Sequence, residues 1–300
     1  MTDVAERIGR QRDRLSPAER RVADVVLRDP ERVAFGTVAR VAEQAGTSGA
    51  SVVRLSTRLG YPGYSALQAA VQDTIGQRLR PAVERIRDMP PALPARAAVA
   101  AGEVSRGGRG SDVLSRTLRA EVDNVHRTLE GVAPDAFARA VALLADPGRP
   151  VRVVAGEAEA GVGAMLAAAL GLVREDVAQV GGSDVAVARQ LAGAGAETVV
   201  VAIDLRRYER WVVEHVTRAV DAGAALVAVT DSLLSPLAAP AAVSFIVAAE
   251  GAGPFDSHVG TLALTNALVT AVAGRRRRQA TRRLDAVEAA WRQADALVEP

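Results

Sequence analysis

Six residues within one short stretch have the types and spacing needed to touch nucleic acid. Ser48, Gly49, Ser51, Arg54, Thr57 and Arg58 fall within the segment 37–60, TVARVAEQAGTSGASVVRLSTRLG. Small and hydroxyl-bearing residues at the start of a helix clear the walls of a major groove. The arginines behind them supply forked donors for guanine edges or phosphates. No Asp or Glu stands between Ser48 and Gln72, so no carboxylate in that helix would repel a phosphate backbone.

To present those side chains, the chain needs two short helices crossing at a tight turn. Gly46 is the pivot, the position that must tolerate a positive φ. Val41, Ala42 and Ala45 before it and Val52 and Leu55 after it have the spacing of two apolar faces packed together. Ser48 is expected to cap the second helix, with Ser51, Arg54, Thr57 and Arg58 pointing outward. Upstream, Ser16, Pro17 and Glu19 spell a capping box with proline at the first helical position, and Pro30 stops that helix. Leu15, Val22, Val25, Val26 and Leu27 give it an apolar stripe to cover the hairpin.

The runs LSPAERRVADVVL and VAEQAGTSGASVVRLSTRLGYPGYSALQ resemble the amino-terminal domain of RpiR/MurR-type transcriptional regulators. The likeness rests on a reader helix that follows a Ser, carries Val52, Val53 and Arg54, and ends at Leu59, Gly60 and Tyr61, with Gly63, Tyr64 and Leu67 beyond. It covers most of residues 15–70 and implies a helix-turn-helix domain that binds double-stranded operator DNA.

Beyond Pro150 the pattern changes to short β-branched runs alternating with Ala-rich helices. Strands are expected at 151–155, 177–180, 198–203, 225–229 and 243–247. Helices are expected near 113–129, 134–144, 160–171, 184–193, 208–222 and 235–239, with a long one after His258. Such alternation implies a five-stranded parallel sheet with helices on both faces and a ligand site at the carboxyl ends of its strands. The loops opening at Gly156, Asp204 and Thr230 are the ones to inspect.

The run LVAVTDSLLSPLAAPAAVSFIV resembles the sugar-isomerase (SIS) fold, which in RpiR/MurR-type regulators senses phosphorylated sugars. The strand-end loops make Gly156, Glu157, Asp204, Arg206, Arg207, Thr230, Ser232 and Ser257 the candidate effector contacts. Two signature loops depart from the pattern. Where sugar-phosphate binders carry glycines and a hydroxyl after the first strand, this chain has Gly156, Glu157, Ala158 and Glu159. Where a hydroxyl cradle follows the third strand, it reads Asp204, Leu205, Arg206, Arg207, Tyr208 and Glu209. Three readings of the second loop stand: Arg206 and Arg207 bind an anionic effector, or they pair with Glu157 and Glu159 and close the pocket, or they form a solvated helix start or a partner surface. Ser257 and His258 border the same region, with helix capping as the alternative role of Ser257.

Composition bounds the rest. Three hundred residues suffice for two domains. The absence of cysteine removes disulfides and thiolate sites. With no apolar run long enough for a membrane span and a charged amino terminus, a cytoplasmic location is expected. Residues 1–80 hold 13 Arg against 9 acids, residues 81–274 hold 17 against 22, and residues 275–300 hold 7 against 4. A basic reader beside an acidic body fits that distribution. The histidines, His126, His215 and His258, lack ligand spacing, so no metal or cofactor is expected. The divisions read as a helix-turn-helix domain over 1–77, a Pro- and Gly-rich linker over 78–112, a SIS-like domain over 113–274, and a basic run with a final helix over 275–300. Arg275 to Arg278 suit either a second DNA contact or a helix carboxyl terminus.

The expected protein is therefore an α/β regulator, not an enzyme. It is a homodimer or higher homo-oligomer on operator DNA, sensing a small anionic metabolite such as a sugar phosphate. The alternatives are an effector-blind regulator and a sugar-phosphate isomerase, for which Glu157, Glu159 and His258 are the available bases.

Overall fold

A computed structural model describes residues 4–79, 81–88 and 110–298. The proline and glycine cluster expected in the linker, from Pro90 to Gly108, lies outside the described residues.

The amino-terminal domain is helical: α1 (Val4–Gln11), α2 (Pro17–Arg28), α3 (Pro30–Phe35), α4 (Val38–Gln44), α5 (Gly49–Arg58) and α6 (Tyr64–Leu79), with a single 3-10 turn at Arg12–Arg14. Its boundaries follow local chemistry. Ser16 and Glu19 close the expected capping box at the start of α2, the Glu19 amide donating to the Ser16 hydroxyl and the Ser16 amide to Glu19. Asp29 and Thr37 cap α3 and α4. Gly46 takes φ +56° at the pivot. Val41, Ala42, Ala45, Val52 and Leu55 are all buried in a core completed by Ile8, Val22, Val26, Val33, Leu67 and Val71.

A short helix α7 (Ala82–Asp88) follows, and the second domain opens with α8 (Gly110–Glu130) and α9 (Pro134–Ala145). The sheet comprises β1 (Val151–Ala155), β2 (Val177–Val180), β3 (Val199–Ile203), β4 (Ala225–Thr230) and β5 (Val243–Ile246). All pairs are parallel, in the order β2-β1-β3-β4-β5. Between and after the strands run α10 (Ala160–Val173), α11 (Asp184–Leu191), α12 (Arg210–Asp221), α13 (Val259–Arg275) and α14 (Arg277–Gln293). One face of the sheet buries Val153, Val201, Ile203, Val227 and Phe245 against Leu166, Leu170, Leu264 and Leu268. The other buries Val154, Val200, Ala202 and Ala228 against Val212, Val216 and Leu237. Burial on both faces explains why these strands read as continuous apolar runs.

Helix α8 is held to the sheet edge by side chains acting as backbone. The Asn124 amide donates to the Glu250 carbonyl at 2.8 Å and accepts from its N–H at 3.1 Å, while the Thr128 hydroxyl accepts from Ala248 N–H at 3.0 Å. Gly260 lets α13 approach, since a Cβ there would stand 2.6 Å from the Thr128 hydroxyl.

Three boundaries differ from expectation. Residues 235–239 form turns, because the Ser232 and Ser235 hydroxyls accept from the amides of Leu234 and Leu237 and offer the backbone an alternative to a helix. α12 starts at Arg210 because Arg206, at φ +59°, takes a left-handed turn first. The arginine run straddles an elbow at Arg276 between α13 and α14, so only Arg275 occupies a helix carboxyl terminus.

Helix α10 presses on β1 at Gly163, where a Cβ would sit 2.8 Å from that of Ala155. Gly163→Val is expected to destabilise the domain by about 1–3 kcal/mol, because neither the helix nor the strand can yield to the added methyls. Gly161→Ala in the same helix, with nothing within 4 Å of the new Cβ, should be neutral or slightly stabilising. Urea unfolding of both variants checks the pair.

Candidate functional site

The reader helix α5 is fixed from three directions. The Arg7 guanidinium donates to Leu59 O at 2.9 Å and stacks over Tyr61. The Arg21 Nε donates to Ala45 O at 3.1 Å, closing the end of α4. Arg58 meets Glu19 at 3.2 Å and donates to Arg14 O at 2.9 Å, which ties α5 to α2. Burial alone would raise the Glu19 pKa, but the Ser16 amide and hydroxyl and the Arg58 guanidinium together hold it below the ordinary glutamate value.

The six expected DNA-contacting residues therefore divide. Ser48, Arg54 and Thr57 are exposed and Gly49 is half-buried. Ser48 occupies the N-cap position, but its hydroxyl faces that of Ser51 at 3.3 Å instead of capping a backbone amide. Ser51, expected to point outward, is buried at 2% exposure and accepts from Arg54 at 2.9 Å. Its part is to orient Arg54. Arg58 is committed to Glu19, so it faces the flank of the helix. Val53, named in sequence only as part of a Val-Val-Arg run, is 43% exposed beside Arg54. Its methyls suit the methyl group of thymine. α5 buries the adjacent pairs Ser51–Val52 and Leu55–Ser56, which leaves Val53 on the open side of the helix.

In the sheet domain, β1 and β3 are neighbours whose following connections run to opposite sides, which opens a crevice at their carboxyl ends. A cleft of about 760 Å³ lies there, lined by Glu157, Glu159, Asp204, Arg207 and Glu209 from the two loops, by Phe255, Asp256 and His258 ahead of α13, and by Arg85 of α7.

Carboxylates dominate its floor. A Cβ placed on Gly156 would stand 2.8 Å from Glu159 Oε2, 2.9 Å from Asp204 Oδ1 and 3.1 Å from Glu209 Oε1. Three acidic side chains from two loops thus converge over one glycine, which is glycine because nothing larger fits. Glu209 accepts from the Glu157 amide and from the Trp211 indole, and Asp204 accepts from the Glu209 amide at 2.8 Å. Burial, reinforced by Asp204, Glu209 and Asp256, pushes the Glu159 carboxyl up to about 8. Burial likewise pushes Asp204 up to about 7, with Glu209 and Asp231 adding to it and the amides of Glu209 and Leu205 opposing.

Of the eight expected effector residues, Glu157, Asp204 and Arg207 line the cleft and Gly156 forms its floor. Arg206 turns away. Its guanidinium meets Glu250 at 2.9 Å and Asp256 at 3.1 Å, so it pairs neither with Glu157 nor with Glu159. The hydroxyls of Thr230, Ser232 and Ser257 are consumed internally: Thr230 donates to Asp204 O at 2.8 Å, Ser232 accepts from Leu234 N–H, and Ser257 donates to Glu121 while accepting from Val259 N–H. Ser257 thus stands one residue ahead of the His258 N-cap and takes the first amide of α13 from there. Asp256 also receives the Arg85 guanidinium at 2.6 Å, which joins the cleft rim to α7. Glu209, Phe255, Asp256 and Arg85 line the cleft although their sequence neighbourhoods did not single them out, because each reaches it only through the fold.

Comparison with known proteins gives two family matches. A helix-turn-helix domain of the rpiR family matches residues 2–78, and the SIS domain matches residues 144–271. The bifunctional protein glk of Burkholderia mallei is 42% identical over 62 residues, 21% of this chain and 10% of that protein. The chain thus aligns with about a tenth of the length of these relatives. The HTH-type transcriptional regulator YbbH of Bacillus subtilis is 33% identical over 81 residues, covering 27% of this chain and 28% of that one. Among solved structures, the sugar isomerase domain of an RpiR transcription factor from Sphaerobacter thermophilus is 27% identical, with a TM-score of 0.54 over 58% of this chain and 97% of that one. The NanR protein of Vibrio vulnificus, solved with ManNAc-6P, shares the fold over 99% of this chain and 100% of its own at 19% identity and a TM-score of 0.54.

The raised carboxyls carry a stability consequence with a definite sign. Glu159 and Asp204 retain protons in the folded chain at pH values where the unfolded chain has lost them, so stability falls as pH climbs from about 4 towards about 8. Thermal unfolding between about pH 6 and about pH 9 should show a declining Tm, and Glu159→Gln, which keeps a neutral side chain of the same shape, should remove most of that decline.

Proposed function

We propose that this chain, which joins a helix-turn-helix domain of the rpiR family to a SIS domain, is a DNA-binding transcription regulator that works as a homodimer whose paired α5 helices read a two-fold operator. A small polar metabolite in the β1/β3 cleft would set the spacing of the readers. The observation that carries the DNA half is the surface of α5, where Ser48, Ala50, Val53, Arg54 and Thr57 form an exposed face free of acids. Arg54, oriented by Ser51, is placed for a base edge, and Val53 beside it for a thymine methyl.

Support for the dimer comes from α8. With Asn124 and Thr128 turned to the sheet, the opposite face leaves Leu114, Leu118, Val122 and Leu129 uncovered at 72%, 65%, 48% and 41% exposure. Four apolar residues at helical spacing are costly to leave in water. The first half of α8 carries Arg116 and Arg119 against Asp112, and the second carries Glu121, Asp123 and Glu130 against Arg127. A two-fold antiparallel pairing would therefore set basic against acidic halves.

The link between cleft and readers is Asp256, which lines the cleft and holds Arg85 of the connecting helix. An effector competing for Asp256 would change the hold on α7, and with it the relative affinity of the two reader arrangements for DNA. An anionic effector, expected from the two arginines, would have Arg207 alone without an acidic partner among the described residues. NanR is bound to a sugar phosphate in its structure, but the three carboxylates over Gly156 make this cleft a different chemical environment. No catalytic step is needed for this function.

Two outcomes test the reading. Arg54→Ala should weaken binding to the operator, mapped by footprinting upstream of the chain's own gene, by about tenfold to a hundredfold and weaken random DNA much less. Equal losses on both would make Arg54 a phosphate contact. Leu118→Asp should shift the sedimentation coefficient to that of a monomer and lower operator affinity in parallel.

A further inference from the structure

The cleft at the carboxyl ends of β1 and β3 lacks what an anion would need. Backbone amides at the mouth of a parallel sheet and at helix amino termini ordinarily serve phosphates. In this chain two of those donors, the amides of Glu157 and Glu209, are already occupied by the protein's own carboxylates. Glu209 takes the Glu157 amide and the Trp211 indole, and Asp204 takes the Glu209 amide. Two of the three arginines nearby are spent as well, Arg85 on Asp256 and Arg206 on Asp256 and Glu250. A phosphate entering the cleft would meet the oxygens of Glu159, Asp204 and Glu209 converging over Gly156.

A second observation points to what belongs there. Glu159 is 3% exposed and lines the cleft, yet among the described residues no donor reaches its carboxylate except its own backbone N–H. Buried carboxylates are ordinarily paired or hydrogen-bonded, and one left facing a cavity lacks a partner that carries N–H donors and positive charge. Among the described residues, no three His, Asp or Glu side chains are arranged to hold a metal ion. An organic cation suits the site better, because an ammonium presents three donors to oxygens arriving from different directions.

From this geometry, and resting on the reading of the cleft as the effector site, we propose that the effector is a small amine- or guanidinium-bearing metabolite without a phosphate group, its cationic nitrogen seated between Glu159, Asp204 and Glu209. The cleft is large enough for a metabolite of ordinary size. Phe255, 70% exposed at its rim, offers an aromatic face to the rest of the molecule. Binding would be linked to protons. The groups facing Glu159 are Asp204 and Glu209 from the turn after β3, Glu157 from its own loop, Asp256 and His258 ahead of α13, Arg207 at the mouth and Arg85 from α7, with Asp231 behind Asp204. The carboxyl cluster holds protons, and a cation seated there would release them, so affinity rises with pH until the cluster is ionised.

The test is thermal shift and titration calorimetry on the full chain with putrescine, agmatine and D-glucosamine, against glucose 6-phosphate and inorganic phosphate. At least one amine should raise the Tm, bind about tenfold or more tightly at about pH 8 than at about pH 6, and lose most of its affinity in Glu159→Gln, whose fold is verified by circular dichroism. The proposal is overturned if no amine binds, if an amine binds Glu159→Gln as well as it binds the native chain, or if glucose 6-phosphate binds in preference to all three. That last result would leave the effector cleft standing and refute only its charge. Loss of the regulator reading itself would appear separately, as failure to find a protected operator.

Discussion

A parallel sheet covered on both faces can place polar chemistry only at its ends. In this chain every residue of β3 is buried and its neighbours are nearly so, which leaves the carboxyl ends of the strands as the place where backbone donors, side-chain charges and solvent meet. The strand order then does the rest. Because the connections leave β1 and β3 towards opposite faces, the loops after them part and open the cleft. The close packing of α10 on β1 at Gly163 and the crowding over Gly156 both follow from having a helix begin directly above that opening.

The electrostatics of that opening are settled by which groups find partners. Arg206 takes a left-handed backbone, stabilised by Asp231 accepting its amide at 2.9 Å, and thereby delivers its side chain to Asp256 and Glu250. Left-handed geometry at a non-glycine residue costs about 1–2 kcal/mol, and the ion contacts offset it. The same turn brings Glu209 back over the loop after β1. A loop whose composition suggests a basic anion site becomes, once folded, an acidic one with a single outlying arginine. Asp256 connects this environment to α7, so the charge state of the cleft and the position of the reader domain share a residue.

The reader domain obeys a different constraint. α5 is short and must be held rigidly to read DNA; its anchors are Arg7 and the Glu19–Arg58 pair, while Arg21 fixes the turn ahead of it at Ala45 and Gly46. Glu19 is used twice, as the capping-box acid of α2 and as the clamp on α5. A capping box identified from four residues of sequence is therefore also part of the tertiary interface.

Local chemistry was legible in the residues themselves. The capping box at Ser16, the positive φ at Gly46, all five strands to within a residue at either end, and the buried faces of α4 and α5 all follow from propensities and periodicities that act over a few positions. Even the fold class was readable, because a sheet buried on both faces imposes unbroken β-branched runs. What sequence alone left open concerns where long or flexible side chains go. Ser51 is buried and Val53 exposed because α2 and α6 choose which face of α5 they cover. Arg206 leaves the cleft because residues 25 and 44 to 50 positions later capture its backbone and guanidinium. Glu209 fills the amide cradle only because β1 and β3 lie side by side. Periodicity acts between neighbours along the chain, whereas ion pairs form between neighbours in space, and only the tertiary structure decides which charges become partners.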